Sequence, residues 1–346
     1  MEVFSDSSDK RFFRIPIFNK EGNMKKWAVL AMAMVLLFGI TAVSSAQDKY
    51  PSKPVEIIVP WAAGGATDVL FRAVGAVFPR YANNQPLIVK NIPGGGAAIG
   101  YTEAMKAKGD GYGIVATATP MITKIHMSNV KFSATTFAPV IMIADNSCFL
   151  LVHKDSPYKD VRDYIADAKK RPGQINMGNA GAGGGYHLAS LAFQNFAGIK
   201  LNHIPFEGGG PSITALMGKH VDSIIVSAPE GVPQALAGDL KLLGIFGEER
   251  LGKFPNVPTA KELGLNFQIS MWRGIHAPKD TPQAIITQLH DITKKCLADA
   301  DFKKRGDELG VQIKYLNAEE YGKFMLSEDA RYKELILKEK LGERYK

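Results

Sequence analysis

Four glycine-rich turns hold the residues whose type and spacing could do chemistry in this chain. They are Pro60-Trp61-Ala62-Ala63-Gly64-Gly65-Ala66 followed by Thr67, Pro93-Gly94-Gly95-Gly96, residues 178–185, and Glu207-Gly208-Gly209-Gly210-Pro211. Glycine lets a backbone N–H approach a ligand closely. At a helix start that N–H also carries the positive end of the helix dipole, so an anion can be held there with no cationic side chain. A carboxylate shielded from water needs several such charge-assisted bonds. The same turns would also serve as ordinary strand-to-helix connections in which glycine only relieves backbone strain. Three of them following strands fit a ligand cleft at the carboxyl edge of a sheet better than turns alone.

Other chemistries lose support at the level of motif. A phosphate-binding loop needs G-x-x-x-x-G-K-[ST], and no glycine in these turns is followed by Lys and then Ser or Thr. The run Gly181-Ala182-Gly183-Gly184-Gly185-Tyr186 puts Tyr where a dinucleotide fingerprint needs its third glycine, and the run from Gly94 to Ile99 fails at the same point. Neither a G-x-S-x-G elbow nor an H-E-x-x-H pair occurs. Two cysteines, Cys148 and Cys296, exclude a disulfide-stapled scaffold and a Cys-rich metal site. They are expected to be separate, buried and unpaired.

The elements that must position these turns read as alternating strands and helices. Val55-Glu56-Ile57-Ile58-Val59 predicts a strand before the first turn, and Thr67 caps a helix with Leu70, Val74, Val77 and Phe78 on one face. The unit recurs: a strand over 86–91 precedes a helix near 99–106, one over 174–177 precedes a helix over about 186–196, and one over 203–206 precedes a helix through Met217. Such alternation implies βαβ crossovers and largely parallel sheets. Beyond Thr281-Pro282 the pattern turns helical almost to the end, with Ile285, Leu289 and Ile292 as a buried stripe.

The chain has 346 residues, enough for roughly two domains. No repeat with a period of 20 to 50 residues is evident, which weakens solenoid and propeller readings. Residues 1–23 are polar. Met24-Lys25-Lys26 then precedes an apolar run over 27–40 and the small-residue stretch Thr41-Ala42-Val43-Ser44-Ser45-Ala46. That order predicts a secretory signal peptide starting at Met24 and cleaved after Ala46. Fourteen apolar residues fall short of the roughly 20 that span a bilayer, and no cysteine follows to carry a lipid. Six of the 42 bases and four of the 34 acids precede Gln47, leaving a net charge of +6 on the exported chain. That mild excess could steer anionic small molecules, and no Lys/Arg block of the nucleic-acid kind appears.

One run, Tyr50-Pro51-Ser52-Lys53-Pro54-Val55-Glu56-Ile57-Ile58-Val59-Pro60-Trp61-Ala62-Ala63-Gly64-Gly65-Ala66-Thr67-Asp68, resembles the opening of the tripartite tricarboxylate transporter substrate-binding proteins, also called Bug proteins. Four further motifs follow in family order. They are Asn91-Ile92-Pro93-Gly94-Gly95-Gly96, His203-Ile204-Pro205-Phe206-Glu207-Gly208-Gly209-Gly210-Pro211, Phe254-Pro255-Asn256-Val257-Pro258-Thr259 with Glu262-Leu263-Gly264, and Trp272-Arg273-Gly274-Ile275-His276-Ala277-Pro278.

The resemblance covers the exported chain. It implies a two-lobed type II periplasmic binding protein fold, α/β, each lobe a mostly parallel sheet flanked by helices, with ligand in the cleft between them. Lobe one would join residues 47–145 with 270–346, and lobe two would hold 146–269. The implied function is capture of a small organic acid (a di-, tri- or aromatic carboxylate) in the periplasm and its delivery to integral-membrane transporter subunits. No catalysis, cofactor, metal or nucleic acid is implied, and a monomer is expected. A secreted enzyme acting on an organic acid and a sensory ligand-presenting module are the rival readings.

Carried onto this sequence, the resemblance names two grips. The first is the loop over 60–68, where Trp61, Ala62, Ala63, Gly64, Gly65 and the Thr67 hydroxyl face the ligand, with Asp68 behind them and Trp61 as a lid. The second is the loop over 178–187, where Asn179, Ala180, Gly183, Gly184 and His187 stand and the family's usual hydroxyls are partly lost. Thr119, Phe206 and Ser227 complete the expected set. Glu207 stands where Lys is common, and Val226-Ser227 where an acid is frequent.

Overall fold

The computed structural model describes residues 50–338 and 340, all within one compact unit. The expected signal peptide, its start at Met24 and its cleavage after Ala46 lie outside the described residues. No helix among the described residues is long and apolar enough to cross a membrane.

In the first half, β1 (Val55–Val59), β2 (Leu87–Asn91) and β3 (Gly113–Ala118) pair in parallel with β1 central. They are joined through α1 (Ala66–Val77) and α2 (Ala98–Ala104), and α3 (Pro120–Met127) follows β3. The parallel pairing follows from the crossover helices, which return each strand to the same end of the sheet. Gly100 lets α2 close onto the first glycine turn: a Cβ there would stand 2.7 Å from Pro60 Cα. The turn is thus backed by a helix.

The middle segment repeats the construction. Helix α4 (Val161–Lys170) leads to β5 (Asn176–Ala180), α5 (Gly185–Ala197), β6 (Asn202–Phe206), α6 (Gly209–Met217), β7 (Ser223–Ser227), α7 (Ala228–Leu236) and β8 (Leu240–Ile245). Here β5 pairs in parallel with both β6 and β7.

Two long strands join the halves. β4 (Phe137–His153) and β9 (Ser270–Pro278) run antiparallel to each other, from Phe137 opposite Pro278 to Ser147 opposite Ser270. Their apolar residues divide between two cores. Residues of β4 up to Ala144 and of β9 from Trp272 join a cluster with Leu70, Phe71 and Val74 of α1. Cys148 onward and Met271 join a second cluster with Tyr164, Phe193 and Ile224. Because the crossing strands run in opposite directions, antiparallel pairs of β9 with β3, and of β4 with β7 and β8, flank the parallel ones.

After β9 come α8 (Gln283–Ala298), α9 (Ala300–Leu309), β10 (Ile313–Leu316) and α10 (Ala318–Lys338). Gly310, at φ +66°, ends α9 and lets β10 pair with β4, so the carboxyl-terminal stretch is not helical throughout. On α8 the buried stripe runs through Ile286, Leu289 and Ile292, while Ile285 packs beside it half-buried. Cys148 and Cys296 are free thiols buried in different cores. Burial pushes both thiols up, Cys296 to about 12.

Candidate functional site

The loop after β1 takes its shape from side chains behind it. Gly64 has φ +81°, a left-handed conformation that favours glycine. Its N–H donates to Asp68 Oδ2 at 2.9 Å, while Arg72 Nε and Asn91 Nδ2 donate to the same carboxylate. Asn91 Nδ2 also donates to the Trp61 carbonyl. Asp68 therefore shapes the loop, and neither caps through Thr67 nor faces the cleft. Trp61 lies edge-on against Tyr101 with ring centroids 6.0 Å apart.

Lobe two meets this loop along its own helix starts. The Ala62 N–H donates to the Glu207 carbonyl at 3.2 Å, and the Glu207 side chain is exposed. The Ala66 N–H, first in α1, donates to Glu230 Oε1 at 2.7 Å. Glu230 stands in the first turn of α7, 5 % exposed, and its Oε2 has no hydrogen-bond partner. A Cβ on Gly209, at the start of α6, would overlap this carboxylate. Among the loop amides, those of Ala63, Gly65 and Thr67 have no acceptor among the described residues.

Arg273 of β9 is the cation of the site and is 2 % exposed. Its Nε donates to Thr67 Oγ1 at 3.2 Å, its Nη1 to the Met271 carbonyl at 3.1 Å, and its Nη2 to Tyr186 Oη at 2.8 Å and Ser227 Oγ at 2.9 Å. Four of its five N–H groups are engaged by these bonds. Tyr186 and Ser227 also bond to each other, hydroxyl to hydroxyl at 2.7 Å. Burial is the main cause that raises the Glu230 carboxyl above its usual range, against the opposing pull of the Arg273 charge and the Ala66 N–H. Burial, with the Glu230 charge added, pushes the Tyr186 phenol well above its ordinary value.

These groups enclose a cavity of about 30 Å³, space for one or two waters. Lobe one contributes Trp61, Gly65, Ala66, Thr67, Ala118 and Pro120 to its wall. Lobe two and the crossing strand contribute Ala180, Gly185, Tyr186, Gly209 and Glu230 with Met271 and Arg273. A hydrogen-bonding wall, two buried charges and one aromatic face suit capture of a small polar molecule. Among the described residues, no group of three or more His, Cys, Asp or Glu could hold a metal ion.

Residues 76–341 match the family model described as the tripartite tricarboxylate transporter family receptor. The chain belongs to that receptor family. A relative of this receptor encoded in the gbd 5′ region of Cupriavidus necator is 33 % identical over 300 residues, covering 85 % of this chain and 89 % of the relative. The structure of the periplasmic binding protein BugD superposes with a TM-score of 0.81 at 28 % identity, covering 85 % of this chain and 99 % of BugD. MatC from Rhodopseudomonas palustris, solved with bound malate, gives 0.79 at 26 % identity, covering 83 % of this chain and all of MatC. The receptor is accordingly a two-lobed solute-binding protein and not an enzyme.

Of the residues the sequence nominates, Trp61, Gly65, Thr67 and Ala180 line the receptor's cavity, and Ser227 lies directly behind it on Arg273. Others sit further back. Asn179 turns its Nδ2 to the Met177 carbonyl and His203 Nδ1, within lobe two. His187 Nδ1 accepts the Gly183 N–H at 2.9 Å, and its ring lies 5.2 Å from that of His203, whose imidazole burial lowers to about 4. Gly184 caps α5 with its N–H on the Gly181 carbonyl. Thr119 is wholly buried with its hydroxyl unpartnered, and Phe206 packs on the lobe-two core. Ala62, Ala63 and Gly64 form the seam with lobe two rather than the cavity wall, where Ala63 and Gly64 abut Gly210.

Arg273, Glu230 and Tyr186 were not among the nominated residues. A signal for the two charges exists: Arg273 interrupts an apolar β-run, and Glu230 follows Ala228-Pro229 directly after the apolar strand β7. Charges placed where the pattern demands burial mark a site.

Proposed function

We propose that this receptor captures a small carboxylate-bearing organic acid in the periplasm and delivers it to integral-membrane transporter subunits. The observation that carries this reading is the buried guanidinium of Arg273 on the wall of a cavity to which α1 and α5 also present their starts. A carboxylate there would accept from the remaining Arg273 N–H and from the amides of Gly65 and Thr67, with Trp61 covering its apolar body. The malate held by MatC supports the ligand class.

Lobe one is proposed to comprise residues 47–145 and 270–346, and lobe two residues 146–269. A cavity of about 30 Å³ is too small to admit such an acid while the lobes touch. Entry therefore requires them to part about β4 and β9 where these strands pass between the cores. Export follows the signal-peptide reading, with the mature chain beginning at Gln47.

Native mass spectrometry of the protein purified from its host's periplasm tests the proposal. The expected result is a bound small carboxylic acid that is returned unchanged on denaturation. A bound molecule without a carboxylate would overturn it.

A further inference from the structure

The cleft carries one acid and one base, and the acid has a free oxygen. Glu230 Oε2 is an unpartnered acceptor on a side chain 5 % exposed, and Glu230 lines the same cavity as Arg273. The two do not pair: no Arg273 nitrogen lies within 4 Å of a Glu230 oxygen, and the guanidinium is spent instead on Thr67, Met271, Tyr186 and Ser227. Glu230 Oε1 meanwhile takes the Ala66 N–H that a second ligand carboxylate would have used.

We propose that this receptor takes an amino acid, a carboxylate joined to an ammonium group, and that Glu230 is the residue that selects it. The inference rests on the carboxylate reading above. A buried charge is tolerated only when it is paired and its hydrogen-bonding capacity filled. Closing over a dicarboxylate would bury two negative charges beside Glu230 with Arg273 alone to offset three. A zwitterion leaves the closed cleft neutral, its carboxylate on the Arg273 side and its ammonium on Oε2. A ligand hydroxyl would fill the acceptor but leave the charge sum negative, so an ammonium is the group that answers both.

Matched probes test this by isothermal titration of the exported protein. The panel pairs succinate with β-alanine, glutarate with 4-aminobutyrate and adipate with 6-aminohexanoate, adding the α-amino acids alanine, leucine and phenylalanine. The expected result is that at least one amino acid binds at least about tenfold more tightly than any dicarboxylate, the effect of one charge-assisted hydrogen bond. Glu230→Gln should erase that advantage while leaving dicarboxylates unchanged or tighter.

A dicarboxylate that binds as tightly as the best amino acid overturns the proposal, as does a panel in which no amino acid binds. An equal loss for both classes in Glu230→Gln also overturns it. Should that variant fail to fold, the wild-type panel decides alone. A different outcome marks failure of the carboxylate reading itself: 1,5-diaminopentane binding as tightly as the best amino acid.

Discussion

Arg273 and Glu230 line one cavity, both almost wholly buried, yet each bonds across to lobe one and not to the other. Arg273 reaches the Thr67 hydroxyl and Glu230 reaches the Ala66 amide, neighbouring groups in the first turn of α1. The site thus keeps a buried acid half-satisfied, which costs stability and leaves an acceptor for a ligand.

That cost has a sign in pH. Burial raises the Glu230 carboxyl in the folded protein, so the folded state holds its proton to higher pH than the unfolded state does. The destabilisation is absent below the unfolded carboxylate range near pH ~4.3 and grows as pH rises through the folded value. Glu230→Gln is therefore expected to melt higher than wild type at pH 8, by about 1 to 3 kcal/mol in stability, with the gap closing toward pH 4. Thermal melts across that range check it, and a wild type more stable than the variant at pH 8 would count against the unsatisfied charge.

Gly209 is a second handle on the same carboxylate, because any Cβ there overlaps Glu230. Gly209→Ala should destabilise by about 1 to 3 kcal/mol through overpacking. Adding Glu230→Ala should recover most of that loss, since the clash partner is gone. Urea denaturation of the two single variants and the double variant measures the coupling; strict additivity would place the clash elsewhere.

Much of the scaffold was legible in the sequence because strand, glycine turn and helix recur with their own periodicities. The strands over 55–59 and 203–206 fall within a residue of β1 and β6. The expected strand over 174–177 instead occupies Asn176–Ala180, since its last residues read as glycine turn. β4 escaped because a 17-residue strand serving two cores has no single alternation: its exposure follows one core to Ala144 and the other from Cys148. The site was legible only in part. Backbone donors announce themselves as glycine turns, whereas Glu230 and Arg273 come from elements far apart in sequence and meet only when the lobes do.

Replacing Arg273 by lysine probes the guanidinium fork. A single ammonium cannot span Thr67, Tyr186 and Ser227 together, as the planar guanidinium does. Arg273→Lys should retain the charge and still weaken carboxylate binding at least about tenfold, the effect of one charge-assisted bond. Titration calorimetry reads this directly. Unchanged affinity would mean that net charge alone attracts the ligand.

The most direct measurement compares the carboxylic acid recovered from the native protein with its methyl ester. Esterification removes the charge and weakens both oxygens as acceptors for Arg273 and the α1 amides. Two charge-assisted bonds at about 1.5 to 3 kcal/mol each exceed the ~2.7 kcal/mol that a ~100-fold change requires. Calorimetric titration should find the ester bound at least ~100-fold more weakly than the acid. Equal affinity for acid and ester would contradict a carboxylate grip and move recognition to the apolar body of the ligand beside Trp61.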